Sequence, residues 1–282
     1  MLKCSIVLIL IILLKLAEVA ELAYASVSKT DVRKDLRVRL PPSAPKHSMI
    51  EQNYPNPNPG KNLKILIGES AYLRFPLKTH LITLNDNLSD IVARYAVPFL
   101  QKGDILCISE RIVSIMQGRA IPISSIKPTQ LAKFFSKFVT KTIHGIGIGS
   151  PWSMHLAIRE LGYLRFFLAV FISLLTKPFG IKGGFYFIAG KSITGIDGPC
   201  HYTIPPYDKY VTLAPIKSKQ LAKSLAEKIG YDIAIVDVSN FAVFSFGKSG
   251  KNISDKFLAQ VLRDNPLGQE TQQTPLCIIR KI

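Results

Sequence analysis

Two aspartates stand where a chain can offer a carboxylate to a ligand. Asp197 lies between glycines in Gly195-Ile-Asp-Gly-Pro, and Asp237 ends the apolar run that starts at Ile233. Open α/β sheets place metal and ligand groups at the C-terminal ends of apolar strands. Together the two carboxylates could hold a hard divalent ion bridging phosphate oxygens. Taken singly, the first also reads as an Asx-turn and the second as a polar strand end. A further apolar run from Asp104 delivers Ser109, Glu110 and Arg111 to its end. Arg111 suits a phosphate or carboxylate clamp, and equally a surface ion pair.

A glycine-rich stretch, His144-Gly-Ile-Gly-Ile-Gly-Ser150-Pro151, offers a different chemistry. Ser150 reads as a helix N-cap and Pro151 as the first helical residue. Free N–H groups and a positive dipole end make such a loop a generic anion site, with Gly147, Gly149 and Ser150 as contacts. The alternative is a tight turn. The loop has neither the Gly-Lys-Ser/Thr of a P-loop nor the dinucleotide fingerprint. Gly-x-Ser-x-Gly is absent, and Cys4, Cys107, Cys200 and Cys277 match no zinc spacing.

These residues need elements to position them. β-Branched or aromatic runs predict strands at 63–67, 80–84, 104–109, 184–189, 232–237, 241–246 and 276–281. Helices are predicted at 88–97, 129–139, 151–161, 163–176, 217–229 and 254–263. In the 217–229 segment Leu221, Leu225 and Ile229 share one face, and Gly230 is its stop. The 163–176 run is short for a membrane span and reads as a buried core or dimer-interface helix, with a membrane-dipping segment as the alternative. Such interspersion implies an α+β fold, with mixed β-sheets covered by helices.

The chain has 282 residues, with 36 Lys and Arg against 19 Asp and Glu, a net charge of +17. An apolar fraction of 48% excludes a disordered tail protein. The charge suggests an anionic partner. No aromatic-interleaved basic stripe argues for nucleic acid, so none is expected. Residues 1–25 contain an unbroken apolar run, Cys4 to Leu14. It reads as a signal peptide, an uncleaved anchor or a helix lying on a membrane. Basic residues from Lys29 to Arg39 favour the third or second, with a cytoplasmic body. Residues 26–62 are proline-rich and read as linker, with the tract at 54–60 extended and solvated. The folded domain is expected over 63–282.

At several motifs the chain resembles the coenzyme F420-0:L-glutamate (γ-glutamyl) ligase family. The resemblance runs through Lys78-Thr-His-Leu-Ile-Thr, Asn85-Asp-Asn-Leu-Ser-Asp-Ile, Lys102-Gly-Asp-Ile-Leu, Arg111-Ile-Val-Ser and Gly118-Arg119. It resumes at Ala189-Gly-Lys-Ser-Ile-Thr-Gly-Ile-Asp197 and Ala234-Ile-Val-Asp237. It implies a two-lobed homodimeric fold, Mn²⁺ or Mg²⁺, and GTP as co-substrate. It implies L-glutamate as one partner and a carboxylate- and phosphate-bearing acceptor, F420-0-like, as the other. The acceptor carboxylate would be phosphorylated and then attacked by the glutamate amine. On that resemblance Asp197 and Asp237 hold the ion, and Glu110 to Ile115, including Ser114, form the nucleotide-contacting turn. The chain departs from the family at Ile115, Gln117, Pro199-Cys200, Val238 and Ser239-Asn-Phe-Ala. Those departures suit an alternative: a non-catalytic protein that keeps the fold and binds a nucleotide or anionic metabolite.

Overall fold

The computed structural model describes residues 54–282, apart from 140–146, 181–182, 240–241, 251 and 269. The apolar N-terminal segment, most of the proline-rich stretch, and His144 to Ile146 therefore lie outside the described residues.

One six-stranded sheet organises the body. Its strands are β1 (Lys64–Ile67), β2 (Ser70–Leu77), β3 (Ile105–Ser109), β6 (Asp232–Val238), β7 (Val243–Lys248) and β8 (Leu276–Lys281), in the order β1-β2-β8-β3-β6-β7. β3 and β6 are parallel, and the other neighbours are antiparallel. The parallel pair is buried on both faces, which is why its sequences read as continuous apolar runs. Leu106, Cys107, Ile108 and Ile233 to Val236 are fully buried.

On one face lie α1 (Leu88–Tyr95), α2 (Glu110–Met116) and α8 (Ser218–Ile229), closing a core around Leu106, Ile108, Ile233 and Ile235. α8 turns Ala222 and Leu225 inward, and Gly230 ends it in a left-handed conformation. On the other face α9 (Asp255–Val261) packs Leu258 and Val261 against Cys107, Ala234 and Cys277. A second lobe has its own core. There α3 (Gln130–Phe135), α4 (Pro151–Leu161), α5 (Tyr163–Thr176), α6 (Gly184–Ala189) and α7 (Lys191–Thr194) gather with the short pair β4 (Ala120–Pro122) and β5 (Tyr210–Thr212). The fold is α+β, a mixed sheet covered by helices.

Several local expectations are corrected. Residues 184–189 form helix α6, not a strand. Gly183 and Gly190 bound it, and Gly184 lies so close to Thr176 on α5 that a Cβ would stand 2.4 Å from that hydroxyl. Helix–helix packing there overrides the β-propensity of the aromatic run. Residues 80–84 are not a strand, whereas Ser70–Leu77 is. β2 was obscured by Pro76 and by Arg74, a buried arginine whose charge is met from outside the sheet. Glu110 opens helix α2, where a strand end and turn were expected. Helix α5 is not a buried core helix: only Phe166 and Ala169 are buried. The tract from Tyr54 is tied down rather than solvated. The Tyr54 ring stacks on Phe75 at 4.6 Å, and Asn58 donates to Pro266 O and Thr274 Oγ1, both at 2.8 Å.

Candidate active site

β3 ends at Ser109 and the chain passes directly into α2, so Glu110 occupies the first helical position. One turn later Ser114, itself fully buried, points its hydroxyl at Glu110 Oε2, 3.4 Å away. Ser114 supports that carboxylate and does not line the cleft. Arg111 reaches the other way. Its guanidinium donates to Thr203 Oγ1 at 3.3 Å and forms a direct ion pair with the Asp197 carboxylate.

Asp197 is held by its backbone. Its N–H donates to Thr212 O and its carbonyl accepts from Thr212 N–H, both at 2.9 Å. This bridge pins it to β5 in the second lobe. Gly195 explains the glycine two residues earlier: a Cβ there would stand 2.5 Å from the Phe246 ring and 2.9 Å from Ala214. Asp237 comes from β6, opposite Phe244 of β7. Among the described residues its carboxylate has no hydrogen-bond partner.

Glu110, Arg111, Asp197 and Asp237 thus line one cleft. The same cleft is lined by Thr79 to Ile82, by Tyr202 to Ile204 with Tyr207, and by Leu267, Gly268 and Gln272 to Pro275. Tyr207 ties two of these segments together by donating to Ile82 O at 2.7 Å. His80 is braced at both ring nitrogens, 2.8 Å from Asp86 and 2.8 Å from the Tyr95 hydroxyl.

The electrostatics follow from crowding. Burial pushes Glu110 well above the usual carboxylate range; Asp237 and Asp197 push it further, and Arg111 opposes. Burial and then Asp197 raise Asp237 to about 7, again against Arg111. Burial alone would lower the pKa of Arg111, but Asp197 more than reverses this, so the guanidinium stays charged. Burial and the neighbouring Cys200 raise the Tyr202 phenol. Three carboxylates therefore face one cation, and the cleft favours a further positive charge.

Hard oxygen donors of this kind suit Mg²⁺ or Mn²⁺. Among the described residues no group of three or more His, Cys, Asp or Glu is arranged as a metal site. Magnesium sites built on one or two carboxylates plus substrate phosphates have that character, so donor type and charge fit such an ion.

The glycine-rich loop does something different. Gly147 and Gly149 sit in a 3₁₀ turn, and Ser150 caps α4 in a capping box with Ser153. None of the three lines the cleft. Gly147 backs onto Ile196, the neighbour of Asp197, with its Cβ position 3.9 Å from that carbonyl. Of the residues singled out in the sequence, the structure brings Glu110, Arg111, Asp197 and Asp237 together in the cleft, and Ser114, Gly147, Gly149 and Ser150 do not line it. Sequence reasoning gave no site role to Thr79, His80, Tyr202 or Thr203. The only local signals were the Lys78-Thr-His motif and the polar residues after Cys200.

With the geometry established, the comparison with protein families is informative. Residues 76–161 match the family model described as F420-0:Gamma-glutamyl ligase. Over that span, less than half of the chain, the sequence is similar to that family. A search of curated proteins found no match. The matched span carries Glu110 and Arg111, and the fold adds Asp197 and Asp237 from beyond it.

Proposed function

We propose that this protein is a nucleotide- and divalent-metal-dependent ligase that forms a γ-glutamyl amide through an acyl phosphate. The observation that carries the reading is the convergence of Glu110, Arg111, Asp197 and Asp237, from three distant chain segments, on one cleft beside the family-matched span. GTP is the proposed co-substrate, L-glutamate the amine, and an F420-0-like acid the acceptor.

In the proposed reaction the acceptor carboxylate attacks the γ-phosphorus, and the nucleoside diphosphate leaves with the electrons of the broken P–O bond. The glutamate amine then attacks the acyl carbon. Inorganic phosphate leaves and the nitrogen loses a proton. Asp197 and Asp237 would hold Mn²⁺ or Mg²⁺, which when bound neutralises phosphate charge. Arg111 stays charged and hydrogen-bonds in the plane of its fork, which suits a phosphate or carboxylate oxygen. The Thr203 hydroxyl and the Asp197 carboxylate orient that fork. The Asp197 carboxylate, ion-paired with the fork, keeps the guanidinium charged.

The deciding experiment uses the full chain. Calorimetry and thermal shift would follow GTP and ATP with and without Mn²⁺, alongside Asp197→Asn and Asp237→Asn. A ligand at 100 times its Kd raises stability by about 2.7 kcal/mol. Metal-dependent nucleotide binding lost in both variants is expected. Its absence in the intact protein would sink the ligase reading and leave a fold retained without this chemistry.

A further inference from the structure

The second lobe presents an apolar face that the fold does not cover. Helix α5 turns Phe166 and Ala169 into the core, where the Phe166 ring meets Phe135 at 5.1 Å and Phe185 at 5.9 Å. Its opposite side shows Leu164, Phe167, Phe171 and Leu174 to solvent, with Leu164 88% exposed. The face continues sideways through touching rings. Phe167 lies 6.2 Å from Phe135, Phe135 lies 5.3 Å from Phe134, and Phe134 lies 5.0 Å from Phe138, itself 70% exposed. Surface helices ordinarily present charge on the side facing water. Here the outer side is as apolar as the inner.

The charges on these segments have one sign: α3, the turn after it and the end of α5 carry lysines and no acidic residue. Lys133, Lys137 and Lys177 are exposed on the same segments as the aromatic rings. An isologous contact between two copies would set this cationic face against itself. An anionic surface with an apolar interior meets both features at once. At 14 residues, α5 is about 21 Å long, short of the roughly 30 Å hydrocarbon core. No helix among the described residues is long and apolar enough to cross a membrane. We propose that the α5 face docks flat on an anionic lipid bilayer, with its aromatic and leucine side chains at the acyl boundary and its lysines on the headgroups.

The test uses the full chain, whose single tryptophan, Trp152, provides the background signal. Leu164→Trp adds a reporter on the face itself, so an N-terminal attachment alone would not produce the signal. Vesicles of brominated phosphatidylcholine, with and without phosphatidylserine, supply the surface. The expected result is a blue shift and quenching of the added tryptophan on phosphatidylserine vesicles only, weakened by salt. Adding Phe171→Glu, a change at an exposed position, should weaken the partition by about tenfold or more. Three results would overturn the proposal. One is no quenching on either vesicle, and another is equal quenching on both. The third is emission already blue-shifted without lipid and unresponsive to it, which would mean that a second copy or residues 4–14 cover the face.

Discussion

Arg74 lies in the middle of β2 with its side chain fully buried, and its charge is met from the loop after α9. The guanidinium forms a direct ion pair with Asp264, contacting both carboxylate oxygens. It also donates to Asn62 O, and to Val261 O at 3.1 Å. The chain beyond Asp264 lines the cleft with Leu267, Gly268 and Gln272 to Pro275. Asp264→Asn keeps the shape and removes the charge. Breaking a buried pair by removing one partner costs about 3–5 kcal/mol when both are dry. Asp264 keeps 31% of its side-chain surface in water, so roughly 2–3 kcal/mol is expected at pH 7. For a body of this size that lowers Tm by roughly 5–10 °C. The pH dependence gives the sharper check. Burial alone would raise the Asp264 pKa, but the Arg74 hydrogen bond and charge bring it below the usual carboxylate value. A depressed folded-state pKa contributes stability that is present above the unfolded-state value of about 3.9 and is lost as pH falls through the folded-state value. In urea denaturation of wild type and variant from pH 7 to pH 3 the difference should therefore narrow toward the acid end. A difference below about 0.5 kcal/mol at pH 7, or one that stays constant down to pH 3, would refute the reasoning.

Glu110 shows the opposite sign. Its raised folded-state pKa means that wild-type stability falls as pH rises above about 4.3, the unfolded-state value, so Glu110→Gln should be near neutral in acid and increasingly stabilising toward alkaline pH in denaturant titrations. Arg111→Met should weaken nucleotide binding by roughly tenfold to a hundredfold in calorimetry, and Arg111→Lys should restore only part of it. Ser150→Ala removes the capping box of α4 and should cost about 1 kcal/mol in thermal or chemical melts. Gly195→Ala forces a methyl against Phe246 and Ala214 and should cost about 1–3 kcal/mol, with metal-dependent nucleotide binding reduced because the Asp197 bridge lies two residues on.

The amino-acid sequence by itself determined the elements whose pattern is local and strong. The buried runs of β3 and β6, the amphipathic α8 with its Gly230 stop, and the Ser150-Pro151 start of α4 are all encoded within a few residues of themselves. It also marked Asp237 and Arg111, conspicuous at the ends of apolar runs, and Asp197, conspicuous between glycines. What it could not determine was their company. Eighty-six residues separate Arg111 from Asp197, and the ion pair between them exists only because a bridge to β5 carries Asp197 across to the mouth of the β3–β6 pair. The same non-local packing kept Ser150 and the two glycines out of the cleft lining, although their local pattern suits an anion. It turned an aromatic run of strand character into α6, because Gly184 lets that segment close on α5. It also hid β2, whose buried Arg74 is tolerable only with Asp264 brought from the far end of the chain. Local periodicity reports how a segment is shaped. Which carboxylates repel one another, which cation offsets them, and which apolar face is left facing water are set by contacts between distant segments, and those arise only when the whole chain is packed.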